Sequence, residues 1–419
     1  MTNSLTRRIL GTVLFIGTLL FFLASLSWSA LSQAQPHVPR PYLVADINPG
    51  PDASNPDFLT AGTETLYAFA SDPDQRGVWA TDGSEEGTRF LAEIYPNYPN
   101  EYYVPAYLYP TPVAEYGAPA TVGDKLFYAN DDGVSGEELW ISDGSPMGTM
   151  MVKDIRPGAL SAYPGSLTSF HEQELIFRGS DAEHGVELWF SDGTITNTHI
   201  ISDIVPGAFG SWPSGMIQVG NYVYFQVRNE AYEVSLWRTD GTAVGTEYLV
   251  ETPGGGYRYL ENPLSYVNGL LFFAAIHPDY GLECWRSDGT DVGTWPLTDI
   301  APGTDGSIGY GQGNHIGFNT NFYFAAYDRS VYGAELWKSD GSEENTILLK
   351  DINPGTNSSV PLWLEVANNL LFFTANDGVH GRELWITDGT EIGTNMVLDI
   401  NPTGDAIQTG YGVDFYLPK

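Results

Sequence analysis

The chain has 419 residues, with 52 acidic against 18 basic side chains and a formal net charge of −34. Such a surface repels nucleic acid and anionic lipid, and suits cations, basic partners or simple solubility. Aromatic residues make up 13% and apolar residues 42%, enough to bury a core, which excludes a disordered acidic tail.

Arg7 and Arg8 precede an uncharged apolar run from Ile9 to Leu26, followed by Ser32-Gln33-Ala34 with small residues at the −3 and −1 positions. Charged, apolar, then small is the order of a secretory signal peptide. The run has 18 residues, the lower edge of what spans a bilayer, so an uncleaved membrane anchor is the alternative. The expected division is therefore 1–34 as signal peptide or anchor, 35–41 as linker and 42–419 as one folded domain. Cleavage would leave a net charge of −36. The protein is expected to be exported, secreted or at the cell surface, touching membrane only through its N-terminal segment. The single cysteine, Cys284, stands where sister repeats carry Leu, so it reads as a small buried apolar residue.

Beyond residue 42 the chain repeats itself. Trp79, Trp140, Trp189, Trp237, Trp285, Trp337 and Trp385 each begin W-x-S/T-D-G-S/T, at spacings of 61, 49, 48, 48, 52 and 48 residues. A period near 48 fits a four-stranded propeller blade. In the last unit, 361–366 reads as strand A, 370–374 as B, 383–386 as C and 395–400 as D. The runs are aromatic and β-branched, and the turns between them carry Asn-Asn and Asp-Gly. The expected fold is all-β, a β-propeller of seven four-stranded blades, with eight as the alternative. A second mark, D-I-x-P-G with variants, recurs eight times, at Asp46, Glu93, Asp154, Asp203, Glu251, Asp299, Asp351 and Asp399. The surplus copy, 43–50, or the terminal segment 411–417, is the expected strand that closes the ring.

Glu138-Leu139-Trp140 before Ser142-Asp143-Gly144, the run from Met151 to Gly158, and Glu383-Leu384-Trp385 with Thr387-Asp388-Gly389-Thr390 resemble the bacterial ELWxxDGT-repeat family. The likeness covers nearly all of 42–401. Blades one, four and five depart from it at Gly77-Val78-Trp79, Ser235-Leu236-Trp237 and Glu283-Cys284-Trp285. The resemblance implies a secreted or surface β-propeller and no known activity.

Most of the repeated chemistry reads as structural. Asp of D-G-S/T caps its own turn, Gly takes positive φ, and the seven tryptophans fill the space between blades. The acid of D-I-x-P-G either caps a turn or belongs to a ring of carboxylates. Alternating strand direction puts the D-to-A and B-to-C loops on one face. Candidate calcium ligands there are Asp131, Asp132, Asp154, Asp203, Asp299, Asp351, Asp377 and Asp399, although no EF-hand spacing follows. No other cofactor is expected. His184 and His380 stand in equivalent B-to-C turns. The same face holds the candidate ligand platform of Tyr98, Tyr102, Tyr103, Tyr107, Tyr109, Trp212, Tyr257 and Tyr259, which could instead fold back over blade ends.

The sequence contains no nucleophile elbow, H-E-x-x-H, P-loop or dinucleotide fingerprint. The functional expectation is a non-catalytic propeller that recognises a glycan or an extracellular protein through its loop face. A glycan-active enzyme with acids near the axis, and a purely structural envelope protein, are the alternatives.

Overall fold

The computed structural model describes residues 43–49, 52–94, 118–231, 233–252, 264–304, 306–308, 315–328 and 330–406. The signal or anchor segment, the 411–417 closing strand and the tyrosine-rich insertion lie outside them. Among the described residues no helix is long and apolar enough to cross a membrane.

Among the described residues twenty-eight strands form seven antiparallel sheets of four, each built from consecutive strands. The blades span 57–93, 120–153, 165–202, 214–252, 265–296, 315–350 and 362–398. This is a seven-bladed β-propeller. Strands fall where the turn chemistry places them: in blade 7 they are Leu362–Ala367, Leu370–Asn376, Arg382–Thr387 and Asn395–Leu398. The A strands of successive blades touch, so A is innermost and D outermost. All of this belongs to a unit running from Ile47 to Lys419. Residues 43–49, expected to supply a closing strand, contain bends and no strand.

Six core clusters each join two successive blades, from 1/2 to 6/7. Trp189, Trp337 and Trp385 sit in them beside residues of the preceding blade, as the repeat predicts. Cys284 is buried in the cluster between blades 5 and 6. Each apolar face thus finds its partner only in the next blade, which is why one repeat could not bury its own core.

The C-to-D turns are the most regular element. Asp82, Asp143, Asp192, Asp240, Asp288, Asp340 and Asp388 each accept from the amide and hydroxyl two residues on. Those hydroxyl donors hold Asp82, Asp143, Asp240 and Asp388 below the usual carboxylate range. In every blade the hydroxyl before the aspartate also meets a threonine seven residues on, at 2.7 to 2.8 Å, as in Ser339–Thr346. These bonds confirm the structural reading of D-G-S/T.

In blades 2, 3, 5 and 6 the B-to-C turn leans on the D-to-A linker that follows it. A Cβ on Gly210, which has φ +74°, would stand 2.3 Å from the Val186 amide nitrogen, so only glycine allows that approach. The end of strand B donates instead to the segment that leads into strand A of its own blade: Ser71 to Ser54, Ser180 to Ala162, Arg228 to Ser211, Tyr327 to Ser307 and Asn376 to Ser359, all backbone to backbone at 2.7 to 2.9 Å.

Candidate functional site

The contact between B-to-C turns and D-to-A linkers encloses the densest polar chemistry among the described residues. Its centre is the glutamate of E-L-W. Glu138, Glu187, Glu283, Glu335 and Glu383 have no solvent exposure. Strand C pairing points each one under the D-I-x-P-G turn of its own blade, where amides left free by the strand-D exit converge.

Glu335 shows the full arrangement. Its Oε1 accepts from the amides of Asn353 and Ser359 at 3.2 and 3.0 Å. Its Oε2 accepts from the Ile352 amide at 3.2 Å and the Ser359 hydroxyl at 2.5 Å. Glu187 repeats the pattern with the amides of Ile204 and Val205 and the Ser211 hydroxyl. Glu138 takes the amides of Ile155 and Arg156. In blade 5 the Ser307 hydroxyl donates to Glu283 Oε2, and in blade 7 the Ile400 amide donates to Glu383 Oε2 at 3.2 Å.

Burial pushes the Glu138, Glu187 and Glu335 carboxyls up to about 7 and Glu283 to about 8, against the pull of their donors. The D-I-x-P-G aspartates Asp154, Asp203 and Asp299 add to the rise in Glu138, Glu187 and Glu283. In these five blades the two acids lie sixteen residues apart. In blades 1 and 4, Gly77 pairs with Glu93 and Ser235 with Glu251 across the C and D strands. The same register, extended by one residue, sets Glu335 against Asp351 and Glu383 against Asp399. Where the E-L-W glutamate is missing, the opposite acid is the longer Glu. Each blade therefore keeps a carboxylate at this station, and five keep two.

The sequence-predicted ligands separate here. Asp154, Asp203, Asp299, Asp351 and Asp399 belong to the stations. Asp131, Asp132 and Asp377 cap their own B-to-C turns, accepting amides two or three residues on. Among the described residues no three His, Cys, Asp or Glu side chains come together as a metal centre. His184 and His380 hydrogen-bond Asp181 and Asp377 at 2.8 and 2.7 Å, and those contacts raise both imidazoles.

Of the predicted aromatic platform, Trp212 folds back onto its blade. Its Nε1 donates to the Phe209 carbonyl at 2.9 Å and the Arg228 guanidinium stacks 5.1 Å from its ring centre. Tyr98, Tyr102, Tyr103, Tyr107, Tyr109, Tyr257 and Tyr259 lie outside the described residues.

The inner strands carry a different surface. Each A strand is the edge of its sheet. Phe58, Ser166 and Trp363 hold positive φ near its start, where the pairing register slips in blades 1, 3 and 7. Trp363 and Tyr266 are 43% and 41% exposed. Neighbouring inner strands are bridged by Thr121 Oγ1 to the Ala61 carbonyl, and by Ser265 Oγ with His315 Nδ1 at 2.9 Å. Burial pushes the His315 imidazole down to about 4, which makes it a poor general base near neutrality.

No family model matches the chain, and no curated protein matches it. Similar solved structures include a puromycin hydrolase (TM-score 0.46, 14% identity, 84% of this chain and 55% of that one). They include a puromycin-hydrolyzing peptidase of Mycobacterium tuberculosis (TM-score 0.46, 12% identity, 86% of this chain and 56% of that one). They also include the β-propeller domain of the Trilobed protease from Pyrococcus furiosus (TM-score 0.42, 12% identity, 84% of this chain and 99% of that one). The match spans about half the length of the first two. These findings correct the functional expectation. The similar structures are, by name, hydrolases and proteases, not non-catalytic glycan- or protein-recognising propellers, glycan-active enzymes or envelope scaffolds.

Proposed function

We propose that this chain is the propeller part of a peptide-processing system and that its ligand is an extended peptide lying along the inner strands. The observation that carries this reading is the set of seven inner strands, every one a sheet edge. An edge strand leaves a row of N–H and C=O groups without ladder partners, and extended peptide is the ligand that matches such a row. Trp363 and Tyr266 offer apolar contact beside those edges. The net charge of −34 favours peptides rich in Lys and Arg and speeds their encounter at low salt.

The test uses the full chain with two labelled extended peptides of equal length, one rich in Lys and Arg, the other in Asp and Glu. Fluorescence anisotropy reads binding and mass spectrometry reads cleavage. The cationic peptide should bind, more weakly as salt rises. The double variant Trp363→Ala, Tyr266→Ala should lose about tenfold in affinity, the order expected for removing two half-buried aromatic contacts. Failure of both peptides to bind or be cleaved would refute the reading.

A further inference from the structure

Two carboxylates set directly across an antiparallel pair repel each other, and burial deepens the penalty. The seven stations relieve it in different ways. Blades 1 and 4 remove one partner, leaving Gly77 opposite Glu93 and Ser235 opposite Glu251. Blades 2, 3 and 6 saturate both glutamate oxygens with donors from the following loop.

Blades 5 and 7 do neither. Glu283 Oε1 and Glu383 Oε1 are buried with no hydrogen-bond partner, on side chains with no solvent exposure. The facing aspartates Asp154, Asp351 and Asp399 each also leave a buried, unpartnered Oδ1, and of these stations blade 7 alone has an unfilled acceptor on both of its acids. The nearest base does not relieve it. The Arg382 guanidinium is spent on the Val360 carbonyl, the Ser359 carbonyl and Thr374. His380 is held by Asp377, at the edge of the station, where the charges of Asp399 and Glu383 reach it.

We propose that the Glu383/Asp399 station, and its counterpart Glu283/Asp299, each bind a calcium ion. The unfilled acceptors are hard carboxylate oxygens, with no thiol among them, which selects a hard cation. Calcium tolerates irregular geometry and completes its shell with backbone carbonyls and water, whereas magnesium demands a near-ideal octahedron. With two carboxylates per site, affinity belongs in the range of extracellular calcium modules, a Kd of about 10⁻⁴ to 10⁻³ M. This inference is independent of the peptide reading.

The experiment is calorimetric titration of the full chain, stripped with chelator, using calcium and then magnesium at equal ionic strength. Two calcium ions should bind per chain, and magnesium should bind at least tenfold more weakly. Glu383→Gln and Asp399→Asn should each remove one site, and Glu283→Gln the other. Glu335→Gln should remove none, because both oxygens of Glu335 already have donors. Asp399→Asn leaves the Glu383–Ile400 bond in place, so it separates ligand loss from misfolding, and a circular dichroism melt checks each variant. No calcium binding at millimolar concentration, unchanged stoichiometry in Glu383→Gln and Asp399→Asn, or equal affinity for magnesium would overturn the proposal.

Discussion

Replacing Glu335 by alanine is expected to destabilise the propeller by about 4 kcal/mol, since it strands several buried donors at once, each costing about 1 to 3 kcal/mol. The amides of Ile352, Asn353 and Ser359 and the Ser359 hydroxyl all converge on this one carboxyl group. Those donors belong to the exit of blade 6 and the entry of blade 7, so their loss loosens the joint between two blades. Glu335→Gln should cost less, because it keeps the volume and one acceptor oxygen. Glu344→Ala, on the exposed C-to-D turn of the same blade, should change stability by no more than about 0.5 kcal/mol. Urea unfolding midpoints of the three variants measure this. Equal midpoints for Glu335→Ala and Glu344→Ala would mean that the glutamate does not hold the linker.

Chelator-treated protein is expected to be most stable near pH 5 and to lose stability steadily towards pH 8. The folded chain raises Glu138, Glu187 and Glu335 to about 7 and Glu283 to about 8, from an ordinary value of 4.5. Between 4.5 and 8 the folded form therefore holds more protons than the unfolded form, and rising pH favours unfolding. Each group's contribution is complete below 4.5 and lost as pH passes through its folded value. A tenfold change in a group's proton affinity corresponds to about 1.4 kcal/mol, so four such groups together carry several kcal/mol. The turn aspartates act in the opposite sense. Asp82, Asp143, Asp240 and Asp388 are lowered from 3.8, so their contribution is present above 3.8 and fails as pH falls below it. Thermal melts across pH 4.5 to 8 read the net effect. A melting temperature that holds level or climbs over that range would contradict it.

Strand and blade count were legible in the sequence because they depend on local chemistry. Asp-Gly turns and aromatic runs recur at fixed spacing, and each turn is satisfied within its own few residues, as at Asp388-Gly389-Thr390. Ring closure was not legible, because the surplus D-I-x-P-G copy matches a turn motif and carries no strand of its own. The fold-back of Trp212, one of the two readings the sequence left open, was not legible for a similar reason: only the fold brings Phe209 and Arg228 against it. The glutamate of E-L-W was overlooked as chemistry, since an acid inside a strand of apolar residues carries no local sign of burial. One signal was present. The acids sixteen residues apart exchange size between blades, Gly77 with Glu93 and Ser235 with Glu251 against Glu335 with Asp351.

Infrared spectroscopy of the chelator-treated full chain at pH 6 reads the charge state of the station glutamates directly, because ordinary carboxylates are ionised there. Buried glutamates raised to about 7 and 8 should give a protonated carboxylic-acid band that shrinks stepwise in Glu138→Gln, Glu187→Gln and Glu335→Gln. A spectrum at pH 6 with no protonated acid would show that these carboxylates are charged in the fold, and that neutral glutamates do not join the blades.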